Sequence, residues 1–308
     1  MTINFKNFEN ELVKNSQIID DFIEYNLPKA ESLNNKLSQA IKYSLIGSGK
    51  KIRSYLVIES GKVISHLNNS NFDEKKNKEL VVIASAIEAI HTYSLIHDDL
   101  PSMDDSDIRR GKKSTHIKFD EATAVLAGDA LQSWGFELIS NPKSLEDSRK
   151  ISKAVFELSK AIGFSGMVGG QQGDIDFTHK DLNEDNIFWI QQKKTGALLE
   201  CCVTLSCIIC DATDSQLSKL REFSRFLGLA FQLKDDLLDL QSNSKSLGKP
   251  IHQDKFNETP NFVNLFGEKK STKKMEYYLE ESIKSLNIFG NHSKNLVLLA
   301  KYVVNRSF

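Results

Sequence analysis

Proline is scarce, with five in 308 residues. Proline breaks helices by removing a backbone donor and clashing with the preceding turn, so its scarcity favours long uninterrupted helices over a turn-rich β architecture. Charge of one sign is not in excess either. The formal net charge is −1, which leaves no electrostatic basis for a polyanionic partner, and no nucleic acid is expected. Long hydrophobic runs are missing. The longest apolar stretches, such as 201–210, fall well short of the roughly 20 residues a membrane span requires, so no span is expected. Met1 to Glu9 lacks a basic segment leading into an apolar run and is acidic early, so neither a secretory signal nor a transit peptide is expected and the compartment predicted is the cytoplasm. Cysteine is confined to Cys201, Cys202, Cys207 and Cys210. The C-x-x-C they contain has no second ligand pair and encloses two isoleucines, which points to reduced thiols acting as small apolar residues in a buried helix.

What is present is an ordinary globular composition, 40% hydrophobic and 26% charged, with helical periodicity along most of its length. Residues 80–97 form a mainly apolar segment too long for a typical strand. Residues 186–210 and 219–241 also read as helices, the second with Phe223, Phe226, Leu227, Ala230, Leu233 and Leu237 as its apolar stripe. Breaks fall at 68–78, 140–147, 179–185 and 243–258, all short and polar. Alternating strand patterns are hard to find, as are internal repeats and flexible linkers. The expectation is an all-α fold, a single domain over residues 1–308.

Two aspartate clusters carry the chemistry. Asp98, Asp99, Asp104 and Asp105 follow one apolar helical segment, and Asp235, Asp236 and Asp239 end another. In the second, Gln232, Asp235, Asp236 and Asp239 fall at i, i+3, i+4 and i+7, one face of a helix opposite the apolar stripe. Like charges at i,i+4 disfavour a helix by a few tenths of a kcal/mol, so a compensating cation is expected. Carboxylate oxygens are hard ligands, and Mg²⁺ characteristically takes one or two of them together with substrate phosphates. In the first cluster Asp98 and Asp104 are six apart with Pro101 between them, a spacing that no regular helix brings together and that leaves their convergence open. An acidic run is often only a solvated face, but two of them on apolar segments weaken that reading. EF-hand spacing is absent.

Carboxylates that hold a metal imply an anionic third party, and basic groups sit where they can bind one. Arg109 and Arg110 follow the first cluster, and Lys50, Lys51 and Arg53 form a basic knot after Gly47-Ser48-Gly49. His91 lies two helical turns before Asp98 on the same face. Lys194 and Thr195 precede Gly196 inside a predicted helix, where glycine lowers helix stability, and Lys249 follows Gly248. Singly, each is unremarkable: a surface lysine or arginine is usually a solvated charge.

Taken in order, these residues resemble the trans-type isoprenyl diphosphate synthases, most closely the short-chain bacterial farnesyl diphosphate synthases. The resemblance runs from about Lys50 to Lys249. It rests on Gly49-Lys50-Lys51-Ile52-Arg53, His91 through Asp104, Arg109-Arg110-Gly111, Ala127-Gly128-Asp129, Gly170-Gln171-Gln172-Gly173-Asp174, Lys194-Thr195-Gly196, and Phe231 through Asp239. It implies helices around a central cavity with the two aspartate motifs facing across its mouth, and a homodimer. Carried over residue by residue, Asp98, Asp104, Asp235 and Asp239 would hold Mg²⁺ on an allylic diphosphate, with Asp99 and Asp236 in support. Arg109, Lys194 and Lys249 would contact that diphosphate, while Lys50, Arg53, His91 and Arg110 would bind isopentenyl diphosphate. Backbone carbonyls and polar side chains near Lys194, Thr195 and Gln232 would stabilise the allylic cation left after ionisation. No side-chain nucleophile is needed, in keeping with the lack of any Ser-His or Cys-His arrangement.

Within that resemblance, a bulky residue five positions before the first aspartate limits product length. Here it is Tyr93, followed by Ser94, which together with the longer first motif implies a farnesyl product, with geranylgeranyl or geranyl diphosphate as alternatives. Two departures stand out. Lys51 replaces an arginine in a motif that usually starts Gly-Gly, and the Lys-x-Thr usual after the second motif is replaced by a stretch in which Lys255, a candidate substitute, precedes Thr259-Pro260-Asn261. A terpene cyclase would need no second diphosphate site, so Lys50, Arg53, His91 and Arg110 argue against it. A non-catalytic synthase subunit usually lacks one aspartate motif, and both are intact here.

Overall fold

The protein is described by a computed structural model that covers residues 5–30, 32–47, 49–68, 73–177, 183–246 and 261–306. Its tertiary contacts separate into two compact units, each discontinuous in sequence. The first comprises residues 1–61, 71–155 and 208–210, the second 62–70, 156–207 and 211–308. Among the described residues the architecture is all-α apart from one small hairpin.

The first unit is organised by α4, Glu74–Asp98. Asp73 starts it, its side chain accepting from the Lys76 amide at 2.7 Å, one of the donors that a helix start leaves orphaned. From Leu80 to Ile90 every residue is buried, the signature of a helix with no solvent face. α6, Glu121–Ser140, packs along it, and α1, Lys6–Asn26, and α2, Asn35–Leu45, flank it. Among the described residues α4 alone is long and apolar enough to cross a membrane, but 78% of its apolar window is buried within the protein. α3, Ile52–Leu67, begins in this unit, and α5, Thr115–Lys118, precedes α6.

The hairpin was not legible as a strand pair. β1, Ile108–Arg109, pairs antiparallel with β2, Lys112–Lys113, through a two-residue turn. Both turn residues, Arg110 (φ 52°) and Gly111 (φ 73°), adopt the left-handed conformation that a type I′ hairpin demands. A strand of two residues shows no alternation, and arginine in place of the usual Asn or Asp hides the turn.

The second unit is built on α11, Asp214–Ser246. Phe223, Leu227, Ala230, Leu233 and Leu237 are all buried, as the periodicity predicts; each side chain removed from water stabilises by roughly 1.5–3 kcal/mol, with alanine well below that. Phe226, from the same predicted stripe, is partly exposed and stacks on Tyr278. Around α11 lie α9 (Glu184–Gln191), α12 (Phe262–Phe266), α13 (Glu268–Ser285) and α14 (Lys294–Asn305), with α8 (Met167–Phe177) packed on α9. Ile187, Phe262, Val263, Met275 and Val304 close the core behind the second aspartate motif.

The remaining α-helices among the described residues are α7 (Ser148–Ile162) and α10 (Ala197–Ile209). The helix expected over 186–210 exists, but five of its residues, Gln192–Gly196, form a π-helical turn between α9 and α10. All four cysteines are buried thiols outside any disulfide.

Candidate active site

In the first unit, the end of α4 turns back on itself. The amide of Asp104 donates to the carbonyl of Asp98 at 2.8 Å, and those of Asp105 and Met103 to the Leu100 carbonyl. Asp105 takes a left-handed φ of 48° to close the loop. The convergence that spacing left open is therefore made by the backbone, and it brings two exposed or half-exposed carboxylates to one turn.

Asp99 has a different place from its neighbours. It is 2% exposed and its Oδ1 accepts from Arg109 Nε at 2.8 Å and also from Nη2. Burial raises the Asp99 pKa, with Asp104 adding to the rise and Arg109 opposing it. For Arg109, burial acts downward, but the bonds to Asp99 prevail and its pKa is raised. The pair ties the hairpin to the aspartate turn.

Across the hairpin's turn lies a cationic cluster. Arg53 Nη1 and Arg110 Nη2 approach His91 Nε2 at 3.2 and 3.3 Å. Arginine has donors only, so Nε2 must be the acceptor and the imidazole carries its proton on Nδ1. Burial, then Arg53, Arg110, Arg109 and Lys51, hold the His91 pKa well below its usual value, which keeps the ring neutral. Burial lowers the Arg110 pKa as well, Glu88 opposing and Arg53 and Arg109 reinforcing. Gly49 allows this geometry: at φ 69° its missing Cβ would stand 2.8 Å from the Arg110 guanidinium carbon.

The basic knot divides by role. Lys51 turns inward, its ammonium 3.0 Å from Asp20 and bonded to the Leu45 carbonyl, while Lys50 is exposed. Tyr93 is buried in α4, edge-on to His97 at 5.8 Å, and Ser94 donates to the His91 carbonyl at 2.9 Å.

In the second unit the π-turn presents Lys194 and Thr195. Lys194 Nζ bonds Asp174 Oδ2 of α8 at 2.6 Å, and Thr195 Oγ1 donates to Gln232 Oε1 at 3.3 Å. Gln232 Nε2 donates in turn to Asp236 Oδ1 at 2.9 Å, and the Phe262 amide donates to Oδ2 of the same carboxylate at 2.9 Å. Asp236 is 5% exposed, so of the four polar residues expected on the face opposite the apolar stripe this one turns into the core. One position beyond Asp235 turns the side chain about 100° around the helix, toward the start of α12. Burial pushes Asp236 up to about 6, with Asp235 and Asp239 adding to the rise against its two hydrogen bonds. Asp239 is raised by burial too, while Asp235 pairs with Arg306.

Lys249, Lys255 and Thr259 lie outside the described residues. Asn261, at the end of the departing stretch, caps α12 by accepting from the Asn264 amide at 2.7 Å. Two partners were missed. Asp174 was visible in its motif without a role, and Arg306 lies far along the chain with no local pattern to mark it.

The carboxylates suit a hard cation. Asp98 with Asp104, and Asp235 with Asp239, offer only oxygen donors, and among the described residues no three His, Cys, Asp or Glu groups converge into a cage. That donor set matches Mg²⁺, which keeps most of its shell for water and substrate phosphate.

Residues 34–295 match the polyprenyl synthetase family. The chain is 35% identical to a farnesyl diphosphate synthase of Haemophilus influenzae over 302 residues, covering 97% of this chain and 98% of that protein. It is 36% identical to an Arabidopsis thaliana protein named as the large subunit 1 of a heterodimeric geranylgeranyl pyrophosphate synthase, covering 93% and 80%. Among solved structures, an FPP/GFPP synthase from Zymomonas mobilis superposes with a TM-score of 0.86 at 33% identity, covering 98% of this chain and all of that one. The chain belongs to the polyprenyl synthetase family and is a trans-isoprenyl diphosphate synthase, a prenyltransferase.

Proposed function

We propose that this prenyltransferase joins isopentenyl diphosphate head to tail to dimethylallyl or geranyl diphosphate and releases farnesyl diphosphate. The observation that carries the reading is the cluster of Arg53 and Arg110 around a neutral His91. It is an anion site separate from the aspartates, and a synthase needs it for a second diphosphate where a cyclase does not. Guanidinium groups suit phosphate because their donors form a fork.

The roles then follow from the residue types. Mg²⁺ held by Asp98, Asp104, Asp235 and Asp239 would neutralise the allylic diphosphate as it leaves. Lys194 and Arg109 hold that diphosphate through donors whose charge Asp174 and Asp99 position. Lys50, Arg53, His91 and Arg110 orient isopentenyl diphosphate. When the allylic carbon–oxygen bond breaks, its electron pair leaves with the diphosphate. Thr195, Gln232 and the carbonyls of the widened Gln192–Gly196 turn stabilise the cation, since a π-turn loosens the regular backbone pairing. The isopentenyl double bond attacks, and the departed diphosphate takes the released proton.

Burial of Tyr93 on α4 supports a floor that stops growth at fifteen carbons, and Ser94 lies beside it. Relatives named for farnesyl and for geranylgeranyl products keep a twenty-carbon product as the second reading. We read the chain as one catalytic domain, as the family match across both compact units supports, acting as a cytoplasmic homodimer. Product analysis with radiolabelled isopentenyl diphosphate, Mg²⁺ and each allylic primer in turn is the test. A fifteen-carbon product is expected; a twenty-carbon one keeps the mechanism and removes Tyr93 as the floor, and no elongation with any primer overturns the reading.

A further inference from the structure

The second aspartate motif already has a cation. α14 ends at Asn305, and Arg306 follows in an extended conformation, its amide still bonded to the Tyr302 carbonyl at 3.0 Å. Its Nη2 bonds Asp235 Oδ1, and its guanidinium carbon lies 4.0 Å over the ring of Phe231. Phe231 and Asp235 are four apart on α11, one turn of one face, so a single planar group is held by an aromatic ring and a carboxylate together. The Arg306 side chain is only 10% exposed. An exposed ion pair of this kind would count for little, but this one is shielded and stacked.

The motif has reason to recruit a cation. Asp235 and Asp239 stand at i,i+4, where like charges repel, and Asp236 adds a third carboxyl within the same turn. We propose that Arg306 is the resident cation of this motif, and that a divalent metal arriving at Asp235 must displace its guanidinium. The inference rests on the reading of Asp235 as a metal ligand. Both cations seek the same carboxylate. A metal on the other oxygen would still lie a few ångströms from the guanidinium, where two positive charges in a partly buried setting repel strongly. Arg306 therefore weakens metal binding at this motif, and its release uncovers the ring of Phe231.

The test is calorimetric titration of the full chain with Mg²⁺ at fixed pyrophosphate and constant ionic strength. Arg306→Met keeps the stem and the apolar contact with Phe231 but removes the charge. Arg306→Gln is a second neutral form, and Arg306→Lys keeps the charge. The neutral variants are expected to lower the half-saturating Mg²⁺ concentration by about fivefold, the loss of a competitor worth one shielded ion pair, with the lysine variant close to wild type. Unchanged or weaker Mg²⁺ binding in the neutral variants overturns the proposal. Asp235→Asn separates the two readings. If it leaves Mg²⁺ binding intact, Asp235 is not a ligand at all; if it weakens binding while Arg306→Met changes nothing, only the role of Arg306 falls.

Discussion

Tyr93 is 5% exposed, and its ring meets His97 edge-on while Gln132 of α6 lies beside its hydroxyl. Burial raises its pKa, with Gln132 opposing and Asp98 adding to the rise, so on the proposed reading the side chain acts as an uncharged wedge. A wedge acts by volume. Tyr93→Ala is therefore expected to lengthen the product by at least one five-carbon unit, and to lower stability by roughly 3–5 kcal/mol, the range for deleting a buried aromatic ring. Tyr93→Phe keeps the ring and is expected to keep the product. Chromatography of the dephosphorylated products reads the outcome, and an unchanged chain length in Tyr93→Ala would remove this residue from the floor. The neighbouring side chains show how closely spaced residues part company. Asp98 and Asp99 are adjacent, yet one stays half-exposed at the turn while the other is buried under Arg109.

At the scale of elements, the π-turn and α8 form one device. A Cβ on Gly170 would stand 2.2 Å from the backbone nitrogen of Lys194, and backbone cannot step aside as a flexible side chain can. Gly170→Ala is expected to destabilise by about 1–3 kcal/mol through overpacking and to lower kcat, because it pushes the turn that carries Lys194 and Thr195. Thermal melting and steady-state rates check it, and a fully active, equally stable variant would show that the turn needs no such clearance. Much of this scale was legible. The stripe from Phe223 to Leu237 and the apolar run from Leu80 to Ile90 announce α11 and α4 because a buried face imposes its period on many residues at once. The π-turn was not, since one inserted residue barely alters that period. The hairpin was not, since its strands are too short for any period. The burial of Asp236 depends on the Phe262 amide, 26 residues away, a partner that no local spacing reveals.

For the whole molecule, the metal assignment makes a thermodynamic claim that needs no turnover. A ligand that binds only the folded chain stabilises it by RT ln(1 + [L]/Kd), about 2.7 kcal/mol at a hundredfold excess over Kd. A chain of 308 residues has an unfolding entropy large enough to turn that into a rise in Tm of roughly 4 °C. Mg²⁺ with pyrophosphate is expected to produce this rise, and neither alone to produce it fully, because the carboxylates complete too little of the metal's shell and the cations need a bridged anion. Asp98→Ala and Asp235→Ala each remove a proposed ligand from a different motif. Each is expected to abolish most of the shift and to reduce turnover by about a hundredfold or more, while circular dichroism stays unchanged. Should the shift survive in Asp98→Ala and vanish in Asp235→Ala, the anion is held by the second motif alone and the first serves only to anchor Arg109 through Asp99. Should no shift occur at millimolar Mg²⁺ and pyrophosphate, the aspartates are not a metal site, and the cationic cluster around His91 would have to bind diphosphate unaided.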